Sequence, residues 1–424
     1  MRKAELCSVE TMKILYLTFS FQHPSLRGHT RCYYFIQELS RRHEITLLSA
    51  TRIPIPPAAR QDMAAYAKQV LSFGANGATR NPGVALLGRL PQIGARLQRE
   101  WEYSQAVQEM KTALKQIIRR DSYDVLLLHG KVLFPVIKDL DELPIVMDMC
   151  DATSLRLLRQ MAYSPLPKRA LLALQYLRVR RLEKRMMAKS QHLAFISHRD
   201  RQAVLGPGRS GEVAPMGVDS ELWKRRTGQP NTHTITFVGV MNYAPNVDAA
   251  AYLMDEIVPR VRKEIPDLEV YIVGRDPLPA LREKAARLAR VHVTGFVNDV
   301  KPYLERSALA VAPIRFGAGV QTKVLEAMAM EVPVVTTSLV ADGLRVEGDP
   351  SLPLHISDDA GEFAQRVVAL LRDPAERARL AREGREFVQR NHVWSHGAEI
   401  LEGLCYQAVA QATSRKHLAA EPLQ

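Results

Sequence analysis

A chain of 424 residues is long enough for two domains of about 200 residues each, and an apolar content of 46% lets each bury an ordinary core. No run of eighteen apolar residues occurs, which argues against a membrane-spanning helix, and the opening MRKAELCSVET lacks the apolar centre of a secretory signal. The net charge of +13, with a pI near 9.6, points to an anionic partner and leaves a nucleotide, a nucleic acid and an acidic lipid surface open.

Residues 1–11 read as a disordered extension. Cys7, Cys32, Cys150 and Cys405 lie too far apart for a metal-ligand or disulfide pattern, so a reducing cytoplasm is the expected compartment. KILYLTFSF, Lys13 to Phe21, is a buried first strand, followed by the loop QHPSLRGHT, a helix from Arg31 to Arg41 and the strand EITLLSAT, Glu44 to Thr51. This βαβ opening predicts a doubly wound parallel sheet. In the first loop, Arg27 and His29 either face a cleft and meet phosphate or acceptor, or belong to an ordinary solvated turn. Ile53 to Asn81 is rich in Pro, Ala and Gly around a short helical piece, and Val84 to Arg120 interleaves apolar and basic residues.

VLLLH ends at His129 and PIVMDMCD ends at Asp151, both strand-like. Ligands bind outside the carboxyl ends of parallel strands, which makes Asp151 the first candidate for a cleft residue and His129 the second. Asp148 or Asp151 could equally cap the helix that begins near Thr153. From Leu155 to Lys189 the chain is strongly basic, with Glu183 its sole carboxylate. Together with Val84 to Arg120 this stretch reads either as helices lying on an anionic bilayer with Leu and Tyr at the interface, or as core helices whose arginines snorkel. Nucleic acid is not expected, because aromatic residues are sparse and no recognition motif is present. HLAFISHRD, His192 to Asp200, reads as a further strand ending in Ser197 and His198, and RRTGQPNT as a linker, placing a domain boundary near Thr227 and the first domain at 12–227.

The second domain, 228–390, opens with a strand ending at Gly239 and a loop carrying Asn242, Pro245 and Asn246. Further strands end at Arg275 and just before Phe296, and the segment from Ser307 to Ser338 reads as strand, loop, helix and strand. Gly317 and Gly319 precede a helix predicted over Val320 to Glu331, where Val320, Val324, Leu325, Met328 and Ala329 recur at helical spacing. Free amides at that helix start, from Gly319 to Thr322, would hold an anion such as a diphosphate. Glu326 lies about two turns along, roughly 9 Å at about 1.5 Å per residue, within reach of a ribose hydroxyl. The same residues also read as a glycine turn followed by a Glu326–Lys323 surface pair.

GVQTKVLEAMAMEVPVVTT resembles the Gly-x-x-x-x-x-x-Glu-Ala-Met-Ala-x-x-x-Pro-Val-Val pattern of the retaining group-1, family 4-like glycosyltransferases. It is most similar to a subgroup associated with exopolysaccharide gene clusters. The resemblance implies an α/β chain of GT-B fold, two Rossmann-like doubly wound parallel-sheet domains facing a cleft. It implies a hexosyltransferase-like enzyme moving sugar from a nucleotide sugar to a glycan or lipid-linked acceptor with retention, without metal or other cofactor, in the cytoplasm or peripheral on the inner face of the plasma membrane. Glu326 would then bind ribose, and the amides of Gly319, Val320, Gln321 and Thr322, with Lys323 and Arg315, would stabilise the leaving diphosphate. Gly239, Asn242 and Arg275 would border the phosphates, and Phe296 the base. Residues 391–410 resemble the closing helix that returns to the first domain, leaving 411–424 as a tail. Two departures stand out: Ala318 occupies the place of a second Glu, and Glu331 that of a Gly at the helix end. The loop at Asn242 also lacks the Arg and Lys that commonly meet the diphosphate. A sugar-nucleotide epimerase of the same fold, or a non-catalytic nucleotide-binding protein at the membrane, would share most of these features.

Overall fold

The computed structural model describes residues 11–26, 30–74, 91–206, 210–226, 231–349 and 351–420. The expected extension before residue 11, the loop residues Arg27 and His29, Val84 to Leu90 and the linker from Thr227 lie outside the described residues. Seven parallel strands form the first sheet: β1 (Lys13–Thr18), β2 (Glu44–Ala50), β3 (Gln69–Phe73), β4 (Val125–His129), β5 (Ile145–Asp148), β6 (His192–Phe195) and β7 (Glu212–Val213). Their order is β3-β2-β1-β4-β5-β6-β7, with the reversal beside β1 that a doubly wound sheet requires. The second sheet holds β8 (Asn231–Val238), β9 (Glu269–Val273), β10 (Val291–Gly295), β11 (Ser307–Ala312), β12 (Val334–Thr336) and β13 (His355–Ile356) in the order β10-β9-β8-β11-β12-β13, again parallel.

Both sheets are covered on two faces, and their central strands are accordingly apolar throughout: all of β4 and β11 is buried. The helix Pro91–Arg120 buries Tyr103, Ala106, Val107, Met110, Leu114 and Ile117 at spacings of three and four. Those side chains pack against β-sheet residues such as Leu15, Leu48 and Leu126, so on this face the element is a core helix. The helix Leu166–Lys189 is different. Its buried residues are Leu172, Glu183 and Met186, while Leu166, Leu171, Leu174 and Leu177 are exposed.

Three local expectations are corrected. Gln69–Phe73 is a strand inside the stretch read as irregular; it is a half-buried edge, so its apolar pattern is weak. β6 stops at Phe195, because Ser197 caps a helix over His198–Leu205 by accepting from the Asp200 amide. The last helix runs from Trp394 to Ala420 and continues past Gln411, where a tail was expected. Its first turns return to the first domain. Trp394 stacks on Tyr34 at 4.6 Å, and Glu402 receives His43 and Arg42, each at 2.6 Å.

Candidate active site

The carboxyl ends of both sheets face one another, and the loop from Arg315 to Gln321 lies in the seam between them. A helix over Thr322–Ala329 follows, burying Val324, Leu325, Ala327, Met328 and Ala329, while Lys323 and Glu326 stay on its less covered side. Gly319 adopts φ +72°, a left-handed conformation that favours glycine, and a β-carbon there would come within 3.3 Å of that of Asp151. Asp151 thus stands opposite the loop, its side chain 41% exposed, with Lys131 bonded to its carbonyl oxygen.

The expected amide cradle is modified by the facing domain. The Gly319 amide donates to the buried Asp200 carboxylate at 3.1 Å, and the Gly319 carbonyl accepts from Arg199 at 2.7 Å. Gly319 therefore serves as a tie across the seam, which corrects its reading as a phosphate donor. The amides of Val320, Gln321 and Thr322 find no acceptor among the described residues, and Gln321, at the helix start, makes no capping bond. Asp200 and Arg199 were missed in the sequence because they read as the exit of a strand ending in Ser197 and His198, not as the first turn of a helix. The signal was Ser197-His-Arg-Asp200, a Ser with an acid three residues on, which marks a helix start.

The Glu326 carboxylate has no hydrogen-bond partner among the described residues. Burial pushes its carboxyl up to about 7, with Lys323 and Lys301 pulling the other way. Lys323 donates to Asn246 Oδ1 at 2.6 Å and lies 5.0 Å over the Phe237 ring; burial pushes its ammonium down to about 7. Glu326 and Lys323 thus do not form the surface pair that the spacing also allowed. Asn246 in turn donates to the Val240 carbonyl and fills the space a side chain at Gly239 would need. Arg315 is held in a two-pronged pair by Asp248, at 2.9 and 2.6 Å, and sits over Tyr163 and Tyr252. Its guanidinium is therefore engaged, contrary to the expectation of a free phosphate ligand. Arg275 pairs with Asp276 at 2.8 Å. Asn242 is exposed in the loop after β8, and Phe296 is an exposed ring just beyond β10.

His129 is a correction. It is 1% exposed, stacked beneath Phe19, and its Nδ1 is 3.0 Å from Asp148, so it is sealed under the cleft floor and meets no ligand there. Burial opposes its charge, but the neighbouring Cys150 and Cys32 sulfurs and the Asp148 carboxylate outweigh that and raise its pKa well above the usual range. Asp148 is also buried. Burial would raise its pKa, but Arg31, bonded at 2.8 Å, and His129 hold it well below the usual carboxylate range. Arg31 donates as well to the carbonyls of Ala214 and Pro215, so the network staples the first helix to the end of the sheet. His129, Asp148 and Cys150 place donor atoms within 4.8 Å of one another, but Arg31 already engages both Asp148 oxygens. Neither aspartate caps the helix at Thr153. Its first amides are met instead by Asp200, bonded to Ala152, and the buried Glu183, bonded to Ser154.

Residues 232–373 match the family described as glycosyl transferases group 1. Among curated relatives, the chain is 31% identical over 189 residues to the phosphatidyl-myo-inositol mannosyltransferase of Mycobacterium leprae, covering 44% of this chain and 49% of that protein. It is 22% identical over 166 residues to an uncharacterized 44.6 kDa protein in the cps region of Klebsiella pneumoniae, covering 37% and 42%. The matches thus span about half the length of these relatives or less. Among solved structures, HepE of Anabaena in complex with UDP and glucose superposes over 95% of this chain and 100% of its own, with a TM-score of 0.59 and 16% identity. That likeness shows the two-domain fold.

Proposed function

From a chain whose residues 232–373 match the group-1 glycosyltransferases and which folds as two parallel-sheet GT-B domains, we propose an enzyme that transfers a sugar from a nucleotide donor to a hydroxyl of a glycan or lipid-linked glycan. The observation that carries this reading is the helix Thr322–Ala329. Unpartnered amides at its start and an unpartnered carboxylate on Glu326, about one turn past Thr322, suit the phosphate and ribose ends of one nucleotide. The UDP held by the Anabaena neighbour supports a nucleotide donor.

In the reaction the anomeric C–O bond of the donor breaks, its electron pair staying on the diphosphate oxygen. The acceptor oxygen forms the new bond and its proton leaves to solvent. Asp151, opposite the loop, is the side chain offered for acceptor contact. Retention of configuration, independence of divalent metal, and a role in exopolysaccharide or cell-surface glycan synthesis belong to the same proposal; the cps-region relative supports the last.

The acceptor is proposed to be met at the cytoplasmic face of an anionic membrane. No described helix is long and apolar enough to cross a bilayer. The outer face of Leu166–Lys189 presents Leu166, 78% exposed, and Leu177, 51% exposed, followed by exposed Arg178, Arg181, Lys184 and Arg185, with Glu183 turned inward. Leucines that can enter an interface beside cations that meet headgroups suit peripheral binding.

Thermal-shift screening of the full chain against nucleotide sugars is expected to single out one donor, because a bound ligand stabilises the folded state. Product analysis with that donor, with and without an acceptor glycan and with EDTA, then tests the chemistry. Glycoside formed only when acceptor is present, and undiminished by EDTA, is expected. A converted sugar nucleotide in the absence of acceptor would identify an epimerase and overturn the transferase reading.

A further inference from the structure

A nucleotide sugar brings a diphosphate, and the second domain has engaged the cations that could meet it. Arg315 holds Asp248, Lys323 holds Asn246 and Arg275 holds Asp276, while the loop after β8 contributes Asn242 and Asn246 and no cation. Across the seam, the helix Thr153–Ala162 carries Arg156 and Arg159, three residues apart and so on one face. Neither guanidinium forms a hydrogen bond to an acceptor or an ion pair among the described residues. Nη1 of Arg159 is closed off from water with nothing to donate to, and so is Nε of Arg199.

These groups lie at the nucleotide loop. Arg199 bonds the Gly319 carbonyl at 2.7 Å and also the Leu339 carbonyl, which fixes it beneath that loop. Burial lowers the Arg199 pKa most; the Asp200 carboxylate, 3.8 Å away, opposes this and the repulsion from Arg159 adds to it, so the two guanidinium groups are neighbours. Arg156 is close enough to Tyr243, in the loop after β8, to lower the pKa of its phenol against the larger effect of burial. The same helix ends at Tyr163, stacked on Phe316 at 5.5 Å. An enclosed donor without an acceptor costs about 1–3 kcal/mol, and a like-charged neighbour makes the arrangement worse. An anion between them would resolve both.

We propose that Arg156 and Arg159, from the first domain, supply the positive charge for the donor's diphosphate at the start of the Thr322–Ala329 helix. This rests on the sugar-nucleotide reading above and adds to it the source of the cations. When the anomeric C–O bond breaks, its electron pair comes to rest on a phosphate oxygen, so negative charge grows where a guanidinium in a water-poor seam interacts most strongly. Because base and ribose bind one domain and the phosphate charge is met from the other, donor cleavage is coupled to the approach of the two domains. An open enzyme would hold the donor without activating it, which limits loss to water.

The test uses the full chain, with UDP, GDP and ADP as probes and the matching nucleosides as controls, by calorimetry and, for weak nucleosides, ligand-observed NMR. The wild type is expected to bind one diphosphate. Arg156→Gln and Arg159→Gln should each weaken it about tenfold or more and lower kcat, with nucleoside binding unchanged, and Arg159→Lys should recover part of the loss. Unchanged diphosphate affinity in both glutamine variants would overturn the arginine assignment and leave the sugar-nucleotide reading standing. Equal loss of nucleoside and diphosphate binding would also overturn it, by showing a structural role. A wild type that binds none of the three diphosphates would overturn both readings.

Discussion

Glu326→Gln separates a carboxylate kept for a ligand from one kept for the fold. The Glu326 carboxyl is pushed from 4.5 up to about 7 because burial disfavours its charge. The folded state therefore holds a proton on Glu326 between pH 4.5 and about 7 that the unfolded chain has released, and the Glu326 contribution to stability falls as pH rises through that window and levels off above it. At about 1.4 kcal/mol per tenfold change the ceiling on this cost is about 3 kcal/mol. Solvent at the rim of the half-buried site reduces the expected gain from the neutral amide to about 1–2 kcal/mol. Thermal unfolding at pH 8 should thus move up by about 2–6 °C in the variant, and at pH 4.5 not at all. Donor affinity should fall by about tenfold, since ribose hydroxyls lose a charge-assisted acceptor. A glutamine variant that is no more stable at pH 8, or that binds donor as tightly as the wild type, would refute the reasoning.

Glu331 adopts φ +56° just past the Thr322–Ala329 helix. The left-handed strain it carries, about 1–2 kcal/mol, exceeds the entropy that glycine would lose. Glu331→Gly should therefore raise the unfolding temperature by about 1–3 °C while Glu331→Ala does not, as calorimetry would show. On the outer surface, sedimentation with phosphatidylglycerol vesicles should exceed that with phosphatidylcholine alone, decline with salt, and be lost on Leu166→Asp with Leu177→Asp. Equal sedimentation with both lipids would remove the membrane proposal.

Much of the architecture could be read from the chain because its central strands are buried on both faces and stand out as short apolar runs between helices. The helix bearing Lys323 and Glu326 was legible for a related reason: its apolar stripe and the glycines before it are local features. What could not be read is what depends on partners distant in sequence. Arg31 stood only as the first residue of a predicted helix, yet it is buried against Asp148, 117 positions away. Asp200 and Gly319 are separated by 119 positions, and nothing near either announces the bond between them. The expected free cations failed in the same way, since Arg315 finds Asp248 and Lys323 finds Asn246 on another helix of their own domain.

The return of the Trp394–Ala420 helix sets the order in which the molecule can be completed on the ribosome. Phe35 and Tyr34 emerge early, but the indole that covers them is made more than 350 residues later. Through most of translation the first domain keeps an uncovered aromatic patch, and nascent chains stalled before residue 394 should be captured by chaperones that full-length chains escape.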